Sequence, residues 1–243
     1  MNNINPKIVE LYQDSLAFGR VVLLDRFLKF ILINTEVKKL NVAVIGGFDN
    51  EPEVEILKKS GYEVSIDHYG ISETSKEFDL NIKNNKDKVK KKYDLVICCQ
   101  VLEHVWNINN FFHNLELFKE KDTLIYINFP KSNKFHSVNP QKPKDFNSTG
   151  YSKYFILNNI EDSQLEAIEI EELGSERLYK SIHVLQTWYN YKEINKCFRA
   201  EKKDYIKYFS SFYNLINFLL LKKSSNKITN DPKFTSETYA FLK

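Results

Sequence analysis

Side chains capable of acid-base chemistry follow a buried-strand pattern in the segment YDLVICCQVLEHVW, residues 93–106. The apolar run predicts a strand, and Gln100, Glu103 and His104 come after its end. Open α/β sheets bind their ligands at the carboxyl ends of their strands. A histidine placed there can act as a general base, because imidazole ordinarily titrates near neutral pH. The segment therefore predicts a functional site with His104 as its base, or else a histidine that only hydrogen-bonds the adjoining loop.

A second apolar run about fifty residues upstream, LNVAVIGG, ends in Gly46 and Gly47. The sequence DNEPEVEILKKSGYEV that follows predicts a helix with a capping box of Asn50 and Glu53, and then another strand. This strand is predicted to finish at Asp67, roughly 20 residues past Gly47. A βαβ nucleotide site offers a carboxylate to ribose hydroxyls at that spacing. The two runs therefore predict a nucleotide-type site, with Asp67 as a specific candidate.

This order of motifs resembles the class I S-adenosylmethionine-dependent methyltransferases over roughly residues 40–190. The family's Asp-initiated strand and Leu-Glu-His block are matched here by Asp94 and by residues 102–104. The strand LIYINFP and the loop FHSVNPQKPKDF resemble the pieces that come next in many members. The remaining matches, in family order, are Gly46, Gly47, Asp67 and, in the segment EFDLN, Asp79.

The resemblance implies an α/β fold, Rossmann-like and doubly wound. Its seven-stranded, mostly parallel sheet has an antiparallel C-terminal strand, and helices are added at both ends. We expect a single domain over residues 1–243, divided into three parts. These are a helical extension at 1–38, the Rossmann-like core at 39–190 and a helical appendage at 191–243.

The resemblance also implies S-adenosyl-L-methionine as cofactor and assigns residues to the site. The expected cofactor-binding residues are Gly46, Gly47, Asp49, Glu51, Asp67, Asp79, Cys99 and Gln100. The expected catalytic residues are His104, His136 and Asp145. Asp79 would accept a hydrogen bond from the adenine amino group, and a simple loop carboxylate is its alternative. His136 and Asp145 would border the acceptor pocket or form a His-carboxylate pair, unless they are chance members of a polar loop.

The glycine loop departs from the family pattern, which has an acidic residue two before the first glycine and then Gly-x-Gly-x-Gly. Here Val44 takes the acidic position, and Phe48 and Asn50 take the second and third glycine positions. Asn tolerates a left-handed backbone, whereas Phe does so much less readily. The methionine end of the cofactor would then be held differently, by Glu51 or Asp49, or the site is defective.

The periodicity predicts seven strands and six helices. The strands are predicted near 41–46, 62–67, 77–80, 93–98, 123–129, 164–172 and 181–189, with the last two as an antiparallel hairpin. The helices are predicted near 7–17, 20–34, 51–60, 107–119, 152–160 and 203–222.

Composition indicates an ordinary cytoplasmic enzyme. A net charge of +3 is too small to argue for nucleic acid, and the lysine run at 83–92 is typical of a solvated surface. The three cysteines fit neither a disulfide framework nor a metal site, which favours a reducing cytosol and no metal. The start MNNINPK does not resemble a signal peptide.

Two segments are apolar enough to be candidate membrane elements, and neither predicts a transmembrane span. Residues 20–33 carry charges at helical spacing, which predicts an amphipathic helix packed on the domain. Residues 204–221 form an aromatic-rich helical stripe. Such a stripe is typical of a core or a homodimer interface, with peripheral membrane contact as the alternative.

The acceptor is expected to be a small molecule, and we favour O-methylation of a saccharide or nucleotide-linked sugar of surface polysaccharide biosynthesis. Trp106, Phe135 and Tyr151 could stack on a sugar ring or fill the core. The alternative function is a catalytically silent binding or scaffolding protein that keeps the fold. A nicotinamide-dependent oxidoreductase is disfavoured, because Gly-x-Gly-x-x-Gly is absent from the loop.

Overall fold

The computed structural model describes residues 5, 7–8, 18–47, 51–71, 75–83, 85–131, 151–174 and 235–243. Its α-helices are α1 (Phe18–Asn34), α2 (Pro52–Lys59), α3 (Ile108–Glu116) and α4 (Lys153–Ile160). Its strands are β1 (Lys39–Ile45), β2 (Glu63–Gly70), β3 (Lys76–Glu77), β4 (Leu95–Cys99), β5 (Leu124–Pro130), β6 (Ala167–Gly174) and β7 (Thr235–Leu242). Short 3-10 turns lie at Lys86–Lys88 and Leu102–His104.

The seven strands form one sheet in the order β3-β2-β1-β4-β5-β7-β6. Pairings among β1 to β5 are parallel, and β7 is antiparallel to both of its neighbours. The chain moves outward from β1 to β3 and then returns to β4 on the other side of β1. The sheet therefore has a topological switch point between β1 and β4, where ligands bind in open α/β folds. This architecture confirms the predicted fold class.

Helices cover both faces of the sheet because its central strands are apolar on both sides, as in parallel sheets generally. The first face packs against α1 and α2, with a core that includes Val42, Val44, Ile97, Tyr126 and Phe241. The second face packs against α3 and α4, with a core that includes Ala43, Ile45, Val96, Cys98 and Ile127. Neighbours along a strand thus serve opposite cores, which fixes the register of each strand.

The C-terminal strand is where the predicted organisation changes. Residues 235–242 form β7 between β5 and β6, so the prediction of a helical appendage at 191–243 is wrong for these residues. The antiparallel partner of β6 was predicted at 181–189, which lies outside the described residues. Strand pairing depends on partners far apart in the chain, and local pattern does not reveal them. The other domain boundaries stay predictions.

The remaining elements that the structure describes begin and end within three residues of their predicted positions. The shift matters most for β2, which was expected to end at Asp67 and continues to Gly70. Helix 203–222 lies outside the described residues, as does helix 7–17 apart from the helical Lys7 and Ile8. The homodimer and membrane-surface roles of 204–221 therefore stay predictions. In the described part of the chain, no helix has the length and apolarity needed to cross a bilayer.

Candidate functional site

The carboxyl ends of β1, β2 and β4 meet around the switch point. Gly46 follows β1, Gly70 ends β2 and Gln100 follows β4. The Gly46 N–H donates to the Tyr69 carbonyl at 2.7 Å, which draws the ends of β1 and β2 together. The predicted loop and strand-end residues therefore come together at one edge of the sheet.

The turn after β1 is packed so closely that it requires glycine twice. Gly46 has a φ of 72°, and a Cβ built on it would lie 2.7 Å from Val101 Cγ2. A Cβ on Gly47 would lie 2.7 Å from Val44 Cγ1 and 2.8 Å from Glu51 Oε1. The glycines thus bring backbone against Val101, two residues after β4, and against the buried Glu51. Val44, at the family's acidic position, is a core residue.

We expect Gly46→Ala to lower the free energy of unfolding by about 3 kcal/mol, from left-handed strain plus the clash with Val101. Gly61→Ala is the matched control, because Gly61 has a φ of 91° but nothing within 4 Å of its Cβ position. It should cost about 1 kcal/mol, the strain alone. Urea unfolding measures both variants. Equal losses would show that the contact with Val101 is unimportant.

Glu51 and Glu53 replace the predicted capping box. Glu51 is the N-cap of α2, makes no side-chain capping bond, and is followed by Pro52 in the first turn. Glu53 is fully buried and its Oε1 accepts a hydrogen bond from Asn128 Nδ2 at 3.3 Å. The prediction of an Asn50–Glu53 box is therefore wrong. Helix packing turns Glu53 toward β5, away from the helix end.

The end of β4 places two predicted residues differently. Cys99 is 6% exposed and belongs to the first-face core, where its Sγ accepts from Asn128 Nδ2 at 3.0 Å. Its expected place in the cofactor crevice, the edge of the sheet around Gly46, Gly47 and Gln100, stays a prediction. Gln100 is half-buried at the edge, with a φ of 55° that non-glycine residues rarely adopt. Burial raises the pKa of the neighbouring Cys98 thiol, and the charges of Glu103 and Glu51 raise it further.

The Leu-Glu-His block forms a 3-10 turn before α3 begins at Ile108. Glu103 is 1% exposed, so it is no solvent-facing carboxylate at a helix end. His104 is half-buried, and its backbone N–H donates to the Val101 carbonyl at 2.9 Å. Since Val101 also contacts Gly46, the turn carrying His104 is fixed close to the glycine turn.

Asp67 lies within β2, in register with Ala43 of β1, and not at the strand's end. Its carboxylate accepts hydrogen bonds from Lys76 at 2.9 Å, Lys91 at 3.0 Å and the Tyr93 hydroxyl at 2.9 Å. Three residues of strand correspond to about 10 Å, which separates it from the carboxyl edge. The predicted strand-end position is wrong because β2 continues to Gly70, and the ribose role loses its geometric basis.

Asp67 is a stabilising residue in this position. Partial burial opposes its ionisation, but hydrogen bonds from Lys76, Lys91 and Tyr93 outweigh burial and lower its pKa from 3.8 to about 2. A depressed aspartate pKa stabilises the fold above pH 3.8, and that stabilisation is lost as the pH falls through 2.

We expect Asp67→Asn to lower the free energy of unfolding at pH 7 by about 2 kcal/mol. The variant should also lack the part of the acid destabilisation between about pH 4 and pH 2 that Asp67 causes. Asp122→Asn is the control, since Asp122 is exposed in the turn before β5 and should change stability by less than about 0.5 kcal/mol. Urea unfolding from pH 7 to pH 2 measures this. An unchanged stability of Asp67→Asn at pH 7 would contradict it.

Asp79 lies two residues after β3, where its Oδ1 accepts from the backbone N–H of Asn81 at 2.9 Å and from its Nδ2 at 3.1 Å. Asn81 Oδ1 in turn accepts from the Trp106 N–H at 2.9 Å. The Asp79 segment is thus joined to the chain just after His104. Among the described residues Asp79 Oδ2 has no partner, so an acceptor remains for a ligand such as an adenine amino group.

Solved structures resemble the chain in fold. No protein-family model matches it, and no curated protein matches its sequence. Coclaurine N-methyltransferase, solved with N-methylheliamine and S-adenosylhomocysteine, is 11% identical with a TM-score of 0.51, over 96% of this chain and 72% of that one. An O-methyltransferase of a Brevibacillus brevis trans-AT PKS multienzyme, solved with S-adenosylhomocysteine, is 14% identical with a TM-score of 0.50, over 99% and 77%.

These likenesses and the strand order decide the fold. The chain has the class I S-adenosylmethionine-dependent methyltransferase fold. The [4+2]-cyclase SpnF also resembles it, at 6% identity and a TM-score of 0.52, over 91% of this chain and 80% of that one. A methyltransferase fold therefore does not fix the reaction, which has to be argued from the site.

Three predicted site residues, Asp49, His136 and Asp145, lie outside the described part of the methyltransferase fold. Within that part, no group of three or more His, Cys, Asp or Glu side chains is placed to hold a metal ion.

Two polar residues that contact a predicted site residue are not predicted from the sequence. Asn128, fully buried in β5, and Glu237, 7% exposed in β7, both contact Gln100. The signal for Asn128 was present: it is the one amide side chain in the otherwise apolar and aromatic strand LIYINFP. Glu237 could not be found without knowing that 235–242 joins the sheet.

Proposed function

We propose that this chain is an S-adenosylmethionine-dependent methyltransferase acting on a small molecule. The observation that carries the proposal is the turn at Gly46 and Gly47, which has no room for side chains and lies at the switch point of the sheet. Such a turn lets backbone approach a nucleoside ligand closely. Neighbours in the same fold were crystallised with S-adenosylhomocysteine, which supports this ligand.

The residues of the crevice fit this cofactor. Gly46, Gly47 and Glu51 would hold its methionine end, together with Asp49, and a carboxylate at that end suits an ammonium group. Gln100, which follows β4 at the same edge, would also contact the methionine end. Asp79 would accept from the adenine amino group through the oxygen left open by Asn81. The cofactor, when bound, supplies an electrophilic methyl group for an in-line displacement.

The protein's own part in such a transfer is positioning, desolvation and proton removal. His104 is the proposed base for a hydroxyl acceptor, because its turn is packed against the residue that contacts Gly46. His136 and Asp145, in the segment after β5, are proposed to border the acceptor. A base here would take the hydroxyl proton as the oxygen receives the methyl group.

For the acceptor we propose a saccharide or nucleotide-linked sugar of surface polysaccharide biosynthesis. Trp106 supports a ring-stacking site, since 58% of it is exposed and its backbone is joined to the Asp79 segment through Asn81. Tyr151 instead packs against Phe129 and Phe155 and belongs to the core. A cytoplasmic location is part of the proposal, because Cys98 and Cys99 are buried free thiols.

Calorimetric titration of the wild-type chain with S-adenosylmethionine and S-adenosylhomocysteine tests the proposal. We expect binding in the micromolar range, about −8 kcal/mol. Binding weaker than roughly millimolar, about −4 kcal/mol, would remove the cofactor from the proposal. Transfer of a labelled methyl group from S-adenosylmethionine to a panel of sugar nucleotides then tests the acceptor.

A binding or scaffolding protein without transfer activity is the second candidate. Its support is the glycine loop, in which Val44 is a core residue and Phe48 and Asn50 replace glycines, together with the inward position of Asp67. The same titration separates the two candidates, because a scaffold that has lost its cofactor site would bind neither compound.

A further inference from the structure

Gln100 has a left-handed backbone, with a φ of 55°, at the switch point of the sheet. Glycine adopts this conformation freely, whereas glutamine adopts it at a cost in free energy. A strained residue persists only where its surroundings hold it, and strain of this kind concentrates at binding and catalytic sites. The contacts of Gln100 therefore identify what holds the edge of the crevice in shape.

Within the described residues Gln100 donates three hydrogen bonds, all to strands that lie on the side of β4 away from β1. Its backbone N–H donates to the Asn128 carbonyl at 2.8 Å. Its side-chain Nε2 donates to Asn128 Oδ1 at 2.9 Å and to Glu237 Oε2 at 3.5 Å. The conformation of the residue after β4 is thus set by β5 and β7.

The same network reaches the other side of the crevice. Asn128 Nδ2 donates to Glu53 Oε1, in the first turn of α2, which begins just after the glycine turn. Two side-chain amides therefore connect two buried carboxylates, in the order Glu237, Gln100, Asn128 and Glu53. Carboxylate oxygens accept hydrogen bonds. The amide nitrogen of Gln100 therefore faces Glu237, and the amide nitrogen of Asn128 faces Glu53.

This orientation of the amide determines which atom of the Gln100 side chain is available to a ligand. Its Nε2 is used by Asn128 and Glu237, whereas its Oε1 has no hydrogen-bond partner among the residues that the structure describes. An amide oxygen at the crevice edge is an acceptor for a donor such as an ammonium group.

We propose that Asn128 and Glu237 are positioning residues, which hold Gln100 in its left-handed conformation so that its Oε1 accepts from the ammonium group of the bound cofactor. The inference rests on the proposed function. It adds to it that β7, a strand outside the nucleotide-binding half of the sheet, determines the shape of the cofactor crevice through Glu237.

Four variants test the proposal. Calorimetric titration with S-adenosylhomocysteine and thermal melting are carried out first on the wild type and then on each variant. Gln100→Ala removes the side chain and keeps the strain, whereas Gln100→Gly removes both. We expect Gln100→Gly to melt at a higher temperature than Gln100→Ala, while both bind at least about tenfold more weakly than wild type. Asn128→Leu, which keeps the branched shape but has no hydrogen-bonding groups, should weaken binding to the same extent.

Thr123→Val is the matched control for Asn128→Leu. Thr123 is 2% exposed just before β5, at the opposite end of that strand from Asn128, and its hydroxyl donates to the Tyr93 carbonyl at 2.7 Å. Its loss should lower the melting temperature and leave the Kd for S-adenosylhomocysteine unchanged.

Two results would overturn the inference while leaving the proposed function intact. One is wild-type affinity in Gln100→Gly, and the other is an equal loss of affinity in Thr123→Val and Asn128→Leu. If Asn128→Leu does not fold, the Gln100 pair decides alone. Failure of the wild type to bind would instead overturn the proposed function, and this inference with it.

Discussion

Replacing Asn114 with alanine is expected to lower the free energy of unfolding by about 4 kcal/mol, a large part of the stability of an ordinary domain. Asn114 lies fully buried in α3. Its Nδ2 donates to the carbonyls of Leu80 at 3.2 Å and Ile82 at 2.9 Å, and its Oδ1 accepts from Asn85 Nδ2 at 2.9 Å. Alanine would leave the buried Leu80 carbonyl, the part-buried Ile82 carbonyl and the buried Asn85 amide without these partners.

The size of the effect comes from the burial of the network. A buried polar group without a partner costs about 1 to 3 kcal/mol, and groups in one network depend on each other. Asn85 is also fully buried, and its Nδ2 donates to the Asp79 carbonyl at 2.8 Å. The segment that carries Asp79 is therefore joined to α3 by asparagine side chains, and we expect Asn114→Ala to loosen the adenine end of the crevice.

Urea unfolding measures the loss, with Asn159→Ala as control. Asn159 lies in α4 and its Nδ2 donates to the Phe155 carbonyl of the same helix at 2.7 Å. Its replacement should cost less than about 1 kcal/mol, because alanine is the better helix former. A double variant of Asn85 and Asn114 should lose less than the sum of the two single losses. A loss in the free energy of unfolding below about 1 kcal/mol for Asn114→Ala would contradict the predicted coupling of the two asparagines. Additive losses in the double variant would contradict it as well.

Replacing His104 with alanine is expected to reduce turnover by about 10²-fold or more, because a general base contributes about 10² to 10⁴ to a proton transfer. The 3-10 turn that carries His104 is held by its own backbone bond to Val101. The loss of the side chain should therefore leave the turn, and the affinity for S-adenosylhomocysteine, close to wild type. His104→Gln, which keeps a polar side chain but cannot act as a base, should be as inactive as alanine.

His113→Ala is the matched control for the His104 variants. His113 lies in α3, with Nδ1 3.3 Å from Glu116 Oε2 and a side chain that is 43% exposed. Its replacement should change turnover by less than about twofold, as is usual for exposed positions away from a site. Initial rates of methyl transfer to an accepted sugar nucleotide measure all three variants. Equal rates for His104→Ala and wild type would dismiss His104 as the base.

Several parts of the fold could be predicted because local pattern carries them. Strands β1, β4 and β5 are continuous apolar runs, as expected of parallel strands buried on both faces. Gly46 and Gly47 mark the turn that follows β1, and the spacing of Asp79 and His104 along the chain matches the family order. These features predict the sheet that the structure has, and they predict that Gly46 and Gln100 lie at one edge of it.

The errors share one physical cause, which is that a side chain's partner depends on elements distant in sequence. Asp67 has the right spacing for a ribose ligand, yet pairing with β1 extends β2 past it, and lysines from two other segments bind its carboxylate. Glu53 has the spacing of a capping residue, yet it contacts Asn128 of β5.

By itself, the sequence determined the type and order of the buried strands and the position of the glycine turn, since these depend on hydrophobic runs and on backbone freedom at glycine. Only the tertiary structure decided which polar groups meet at the edge of the sheet. It placed 235–242 between β5 and β6 and so brought Glu237 to Gln100. Hydrogen bonds and ion pairs act over a few ångströms in space, whatever the separation of their partners along the chain.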